Sequence, residues 1–557
     1  MKRNIRRDRA SVKRAAFVGL SRLLLLWLVW PAAGGAIAAD GTETQPSKPA
    51  AAKGERASPH PTAAKSEKLR GLLQNEDATN FFYYHDIPAG EAGQTIDRYI
   101  DVLAGAGVTV LFCNTNARRT NYRSEVWEAF WDGYDPNGPD DQPFLAPIAK
   151  EERQAWRKLV GNMLEVHRQG VDYPARVIER CRHDGISPWI SLRMNDCHYN
   201  ANLDHPFHSP LWRKPELFRQ GDPGYFGQSL DYAHAEVRAH YLALVVETLA
   251  RYDIDGLELD FMREPYLFSK GKEQEGRALL TTMVREVRKL TDETAKRRGH
   301  PIKLGVRVPS SPQTALGLGL DAPTWAREGL VDLVVVTPRW ATLQFDMPLA
   351  EWRRLLGDDV TLAGGLEVLY RPCSATAHRA VTIEEAAGAA VAVLSGGADA
   401  VYLFNYFQDR HPGWPIPEYQ RVLTTFSSLD ALSRLPRRHA VTYRDVLVPG
   451  ETYRPPLPAS GKELSFTLPL GPTPPAGWLA EATIEVAAPG GAAVSAIVSV
   501  NGVAGTLRGD EALNGSRLLT YSIPLEALPG RNTDTITVKA AEAIEVLRVE
   551  VRLHGGG

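Results

Sequence analysis

From Asn80 to about Leu435 the chain repeats one rhythm: a short apolar run, a polar break, then a longer stretch with apolar residues at helical spacing. "NFFYYHD" (Asn80 to Asp86) predicts a first strand, followed by a helix over about Thr95 to Ala106. "VTVLFCNTN", "SPWISLRMND" and "GLELDFMR" predict the second, third and fourth strands. "IKLGVRVPS", "LVDLVVVTPRW", "VTLAGGLEVLY" and "AVYLFNYF" predict the fifth to the eighth. Helical patterns lie between Lys150 and Arg182, from His234 to Tyr252, and in "EGRALLTTMVREVRKLTDETAKRRG". Eight strands alternating with helices describe a (β/α)8 TIM barrel of the α/β class. The alternative, a doubly wound open sheet, lacks the Gly-rich fingerprint expected after its first strand.

After Pro436 the period changes from helical to two. "ELSFTLPL", "EATIEVAAP", "VSAIVSVNG", "RLLTYSIPL", "TDTITVKA" and "IEVLRVEVRL" alternate apolar and polar residues between Gly, Pro and Asn. This predicts a C-terminal antiparallel β-sandwich. Four regions follow: a signal peptide over 1–39, a linker over 40–79, the barrel over 80–435 and the sandwich over 436–557.

The first two regions rest on composition. Lys2, Arg3, Arg6, Arg7, Arg9, Lys13 and Arg14 precede the apolar "LLLLWLVW", and "AIAAD" offers a small-residue cleavage site. That order predicts export to the periplasm or medium, with no stable membrane span after cleavage. The tract from Gly41 to about Lys68 is rich in Ala, Pro, Lys, Ser and Thr, which suits a disordered tether. A net charge of −2 over 557 residues gives no reason to expect nucleic acid as a partner. Four cysteines leave two readings open: Cys113 pairs with Cys197 at neighbouring strand ends, or the thiols stay free and buried.

In a TIM barrel the chemistry sits where the strands end. On the fourth strand, period two sends Leu257, Leu259 and Phe261 toward the helices, and Glu258 and Asp260 toward the axis. The other predicted strand ends add His85, Asn114, Arg193, Asn195, Asp196, His198, Arg307, Trp340, Glu367, Asn405 and Tyr406. The loops after strands two and three carry Trp127, Trp131, Tyr134, Trp212 and Tyr225. Polar groups fixed among aromatic faces suit a carbohydrate. Glycoside hydrolysis uses two carboxyl groups across the scissile bond, and strands four and seven stand on opposite sides of a barrel. Asp260 is therefore expected as the acid and Glu367 as nucleophile or base, with the remaining strand-end residues, Glu258 included, binding substrate. No metal-ligand spacing such as His-x-Glu-x-x-His occurs, so neither metal nor other cofactor is expected.

The stretch "YDIDGLELDFMREP" resembles the strand-four signature of a glycosyl-hydrolase-like family related to glycoside hydrolase family ten. Asp253, Asp255, Gly256 and Asp260 match it; Glu258 stands where the family has His, and Phe261 where it has a second Asp. The resemblance implies an exported barrel acting on polysaccharide, with Glu367 similar to the strand-seven nucleophile of retaining glycosidases. A second functional class competes: a non-catalytic glycan-binding or scaffolding barrel. Each candidate also has a structural reading. Asp255 suits a turn, Glu258 a partner for Arg307 or Arg193, and Glu367 a partner for Arg339. The Trp-rich loops suit small cores of their own. Rim carboxyls about 5–10 Å apart favour an enzyme, and carboxyls locked to arginine favour the second class.

Overall fold

The computed structural model describes residues 67–221, 224–408, 412–531 and 533–556. The expected signal peptide, and the expected linker up to residue 66, lie outside the described residues. Eight parallel strands close into a barrel: β1 (Gly71–Glu76), β2 (Val108–Asn114), β3 (Ser187–Arg193), β4 (Gly256–Asp260), β5 (Lys303–Pro309), β6 (Leu333–Thr337), β7 (Thr361–Leu366) and β8 (Ala400–Phe404). β1 pairs with both β2 and β8, so the sheet has no edge.

One strand departs from expectation. The predicted first strand is a helix, Ala78–Tyr84, and β1 is "GLLQNE", in the stretch read as linker. Asp77 is the cause: its carboxylate accepts from the Thr79 amide and hydroxyl, which starts a helix directly after β1. β1 itself is short and follows a long polar tract, so alternation had little to register.

Alternation holds elsewhere and builds the interior in layers. Leu73, Val110, Phe112, Trp189, Leu333, Val335, Ala363, Tyr402 and Phe404 form one buried cluster inside the barrel. Their strand neighbours Leu257, Leu259, Val306, Val308, Val334 and Val336 join the core beneath the helices. The Trp189 indole fills the barrel floor because its neighbours are glycines: a Cβ on Gly256 would fall on the ring, and one on Gly305 would stand 3.0 Å from it. Gly256→Ala is therefore expected to cost about 1–3 kcal/mol by overpacking, read as a lower urea midpoint. An unchanged midpoint would mean that Trp189 shifts freely. Above this floor the register aligns Ser191, Glu258 and Gly305, and above them Arg193, Asp260 and Arg307.

The C-terminal domain contains β9 (Arg437–Ala440), β10 (Ala459–Leu468), β11 (Trp478–Ala487), β12 (Ala496–Val500), β13 (Val503–Ala504), β14 (Thr506–Ala512), β15 (Ser516–Ile523) and β16 (Asp534–Gly555). All its pairings are antiparallel. The long β16, read from sequence as two strands, serves both halves: its first part pairs with β10 and β12, its second with β9 and β11. The domain is tied to the barrel. Tyr370 donates to Glu550 at 2.7 Å, and Arg552 pairs with Glu384 at 2.7 Å. The segment after β9 reaches the barrel mouth, where Asp445 accepts the backbone N–H groups of Arg339, Trp340 and Ala341.

Candidate functional site

The inward layers of β3, β4 and β5 continue upward into an ionic cluster at the C-terminal ends of the strands. Arg307 is fully buried and stands between the two candidate carboxyls. One terminal nitrogen lies 3.3 Å from Asp260, and the other 3.1 Å from Glu367. Two carboxyls that share one guanidinium lie no farther apart than the ~9.5 Å upper end of the glycosidase range. Both are almost wholly buried, Asp260 at 1% exposure and Glu367 at 2%. The Arg307 guanidinium also lies over the Phe404 ring, 3.8 Å from its centroid.

The two carboxyls have different surroundings. Asp260 accepts from Arg307 and from the Met262 amide. Burial pushes Glu367 well above the ordinary carboxyl range, against the pull of the Arg307 and Arg263 charges. The expected competitor of Glu367, a salt bridge to Arg339, does not form: Arg339 pairs with Glu264. That pairing overcomes the effect of burial and holds Glu264 below its usual range.

Glu258 sits one layer down, and neutral donors hold it rather than the arginine partner suggested by its depth. Tyr402 donates to it at 3.0 Å and Asn75 at 2.8 Å. Burial and the neighbouring Asp260 push its pKa up to about 7, from 4.5. Between those values the folded chain holds a proton that the unfolded chain has released. This contribution to stability is therefore lost as pH rises through about 7. Buried neutral histidines such as His205 and His208, each pushed down to about 3 by burial, oppose the trend. The clean observable is the difference between wild type and Glu258→Gln. Wild type is expected to lose about 2–3 kcal/mol relative to the variant between pH 5 and 8, by urea denaturation. Parallel pH curves would exclude this account.

The other expected site residues divide. Arg193 joins the cluster, paired with Asp77 at 2.7 Å and Asp196 at 3.0 Å. Asp196 also holds His198 at 2.7 Å, and the pull of His198, Arg193 and Arg118 overcomes burial to keep Asp196 well below its usual range. Trp340 lies at the mouth, half-exposed and stacked on His378. Asn405 accepts from the Asp77 amide beside the cluster. Three expected ligands are instead struts. Asn114 donates to the Asn116 carbonyl, Asn195 holds the Leu230 and Tyr266 backbone, and Tyr406 donates to the Glu367 carbonyl. His85 ends the helix after β1, where it stacks on Phe81 and meets Tyr99 edge-on, because its segment is not a strand.

The aromatic loops mostly form cores of their own. Trp127 stacks on His240 and Trp131 on His167, and Trp212 lies 3.5 Å beneath the fully buried Arg118. Arg118 clasps the two loops by donating to the Asp196 carbonyl, Asn200 and His208. Of the five aromatics expected to meet sugar, only Tyr225 is exposed.

Sequence reading missed Asn75 and Asp77, which depend on the true β1, and Tyr402, which the alternation of β8 points inward. Among the described residues there is no His, Cys, Asp and Glu grouping suited to a metal ion, and no helix is long and apolar enough to cross a membrane. All four cysteines are buried and unpaired, so the Cys113–Cys197 bridge is absent.

No protein-family model matches the chain, and no curated protein sequence is similar to it. Solved structures with a distant likeness include a cycloisomaltooligosaccharide glucanotransferase from a Paenibacillus species, at 9% identity and TM-score 0.31, covering 86% of this chain and 57% of that one. They also include the PgaB glycoside hydrolase domain from Bordetella bronchiseptica, at 11% identity and TM-score 0.37, covering 65% and 99%. A third is an α-amylase from Lactobacillus plantarum, at 12% identity and TM-score 0.35, covering 84% and 98%. The chain thus spans little more than half the length of the glucanotransferase. Likenesses this distant leave its function to its own residues.

Proposed function

We propose that the chain is an exported glycoside hydrolase of the two-carboxylate kind, acting on a polysaccharide or oligosaccharide, with Glu367 as proton donor and Asp260 as its partner. The observation that carries this reading is the grip of Arg307. Its contacts with Asp260 and Glu367 span 3.1–3.4 Å. Strong charge-assisted bonds are nearer 2.7–2.9 Å, as the Arg193–Asp77 pair is. A buried ion cluster held this loosely is a poor stabiliser, because the cost of desolvation offsets its attraction. It stands where a TIM barrel places its chemistry, and of its two carboxyls burial pushes Glu367 toward holding a proton.

The electrostatics thus exchange the roles expected from sequence. Glu367 gives its proton to the leaving glycosidic oxygen as the bond to the anomeric carbon breaks. Asp260 attacks that carbon from the other side, forming a glycosyl ester. Water then displaces Asp260 while Glu367 takes back a proton, so configuration is retained. The near-complete burial of the pair, and the binding of both carboxyls by Arg307, favour the second reading, a non-catalytic glycan-binding barrel.

Release of new reducing ends from a polysaccharide panel separates the two. Wild type is expected to cleave at least one member, and folded Asp260→Asn at least about 10²-fold more slowly. No cleavage by wild type would leave the binding reading.

A further inference from the structure

Among the described residues four arginines stand at the mouth, and three have carboxylates. Arg193 holds Asp77 and Asp196, Arg307 holds Asp260 and Glu367, and Arg339 holds Glu264. Arg263, three residues after the end of β4, is different. It is 8% exposed and holds no carboxylate among the described residues, and its Nε, like that of Arg307, is buried without a hydrogen-bond partner among them. Its guanidinium lies 5.3 Å from the centroid of the Phe404 ring, the same ring on which Arg307 rests. It therefore lies beside Arg307, which bridges the candidate catalytic pair. Asp77, Glu264 and Glu367 feel its charge, but each is engaged by another arginine.

A buried guanidinium with no acceptor is costly, and a partner supplied from outside the chain would repay that cost. The geometry points to a ligand anion. We propose that Arg263 binds a carboxylate on the substrate, so that the mouth selects a glycan containing uronic acid. A planar carboxylate matches the two-pronged donor face of arginine. A cation already supplied with a protein carboxylate would have no such preference. This inference rests on the glycan reading of the mouth, and it holds whether or not the bound glycan is cleaved.

The test compares binding of the full chain to short acidic oligosaccharides (oligogalacturonide, oligoglucuronate and heparosan tetrasaccharide) and to neutral cello- and maltotetraose. Calorimetry reads affinity, and reducing-end release is followed on the same samples. At least one uronate probe is expected to bind 10-fold or more tightly than the neutral sugars, and to weaken as salt rises. Arg263→Gln is expected to abolish that preference without lowering the melting temperature, since no ion pair is broken. Arg263→Lys, which keeps charge but not the fork, is expected to retain part of it. Inorganic sulfate separates shape from charge. If sulfate competes as well as free glucuronate, the site reads charge alone, and the uronate assignment fails.

Equal binding of acidic and neutral sugars would overturn the inference, even if neutral glycans are cleaved. So would a large fall in melting temperature for both variants with the preference intact. Uronate binding lost in Arg263→Gln, but without cleavage by wild type, would sustain the inference and remove the hydrolase.

Discussion

Glu367→Gln is expected to lower kcat/KM on a cleaved polysaccharide by about 10²–10⁴-fold, the range that positioned general acids supply. The fold should persist. A glutamine amide at this position fills the same volume, and its carbonyl oxygen still accepts from Arg307 where Glu367 does now. Burial already favours the uncharged form of Glu367, so removing its charge costs the folded state little. A variant with native circular dichroism and wild-type rates would exclude Glu367 from the reaction.

Arg307→Met is expected to be the most damaging single change to stability, at about 3–5 kcal/mol in urea denaturation at pH 7. Met matches the arginine stem in bulk, so the loss comes mainly from charge rather than from a cavity. Asp260 and Glu367 would share a site with 1–2% exposure and no counter-charge between them. Carboxyls raised in this way regain stability as pH falls and they take up protons. The penalty is thus largest above neutrality and shrinks toward pH 4–5. Adding Asp260→Asn and Glu367→Gln to Arg307→Met should restore most of the loss. A cost below about 1 kcal/mol for Arg307→Met alone would mean that water or a rearranged arginine reaches the pair.

Most of the barrel was legible because its strands alternate, with apolar residues such as Ile190, Leu192, Leu257, Leu259, Val306 and Val308 on the outward face and Arg193, Asp260 and Arg307 on the inward face at the top. Glu258 and Asp260 could be placed on one face from "GLELD" alone, and the structure puts them there. β1 escaped because a buried parallel strand of six residues beside a polar tract has no contrasting face to read. That slip carried His85 into the candidate site and kept Asn75 and Asp77 out of it. Alternation reports which face a residue occupies, but not its partners. It therefore gave no way to learn that Arg307 spans Asp260 and Glu367, that Arg339 turns to Glu264, or that Tyr402 and Asn75 hold Glu258. The tryptophan-rich loops misled for a related reason: aromatic composition is the same whether a ring meets sugar or Arg118.

The division of labour between the two carboxyls can be read from leaving-group dependence. A dinitrophenyl glycoside of the cleaved sugar departs without a proton, whereas a natural glycosidic oxygen needs one. Folded Glu367→Gln is predicted to be slow on the natural linkage, yet within about tenfold of wild type in the bond-breaking step on the activated glycoside, read as the first burst of dinitrophenolate. Asp260→Asn is predicted to be slow on both. The reverse pattern would return the acid role to Asp260, and equal losses in both variants on both substrates would contradict the assignment of separate roles.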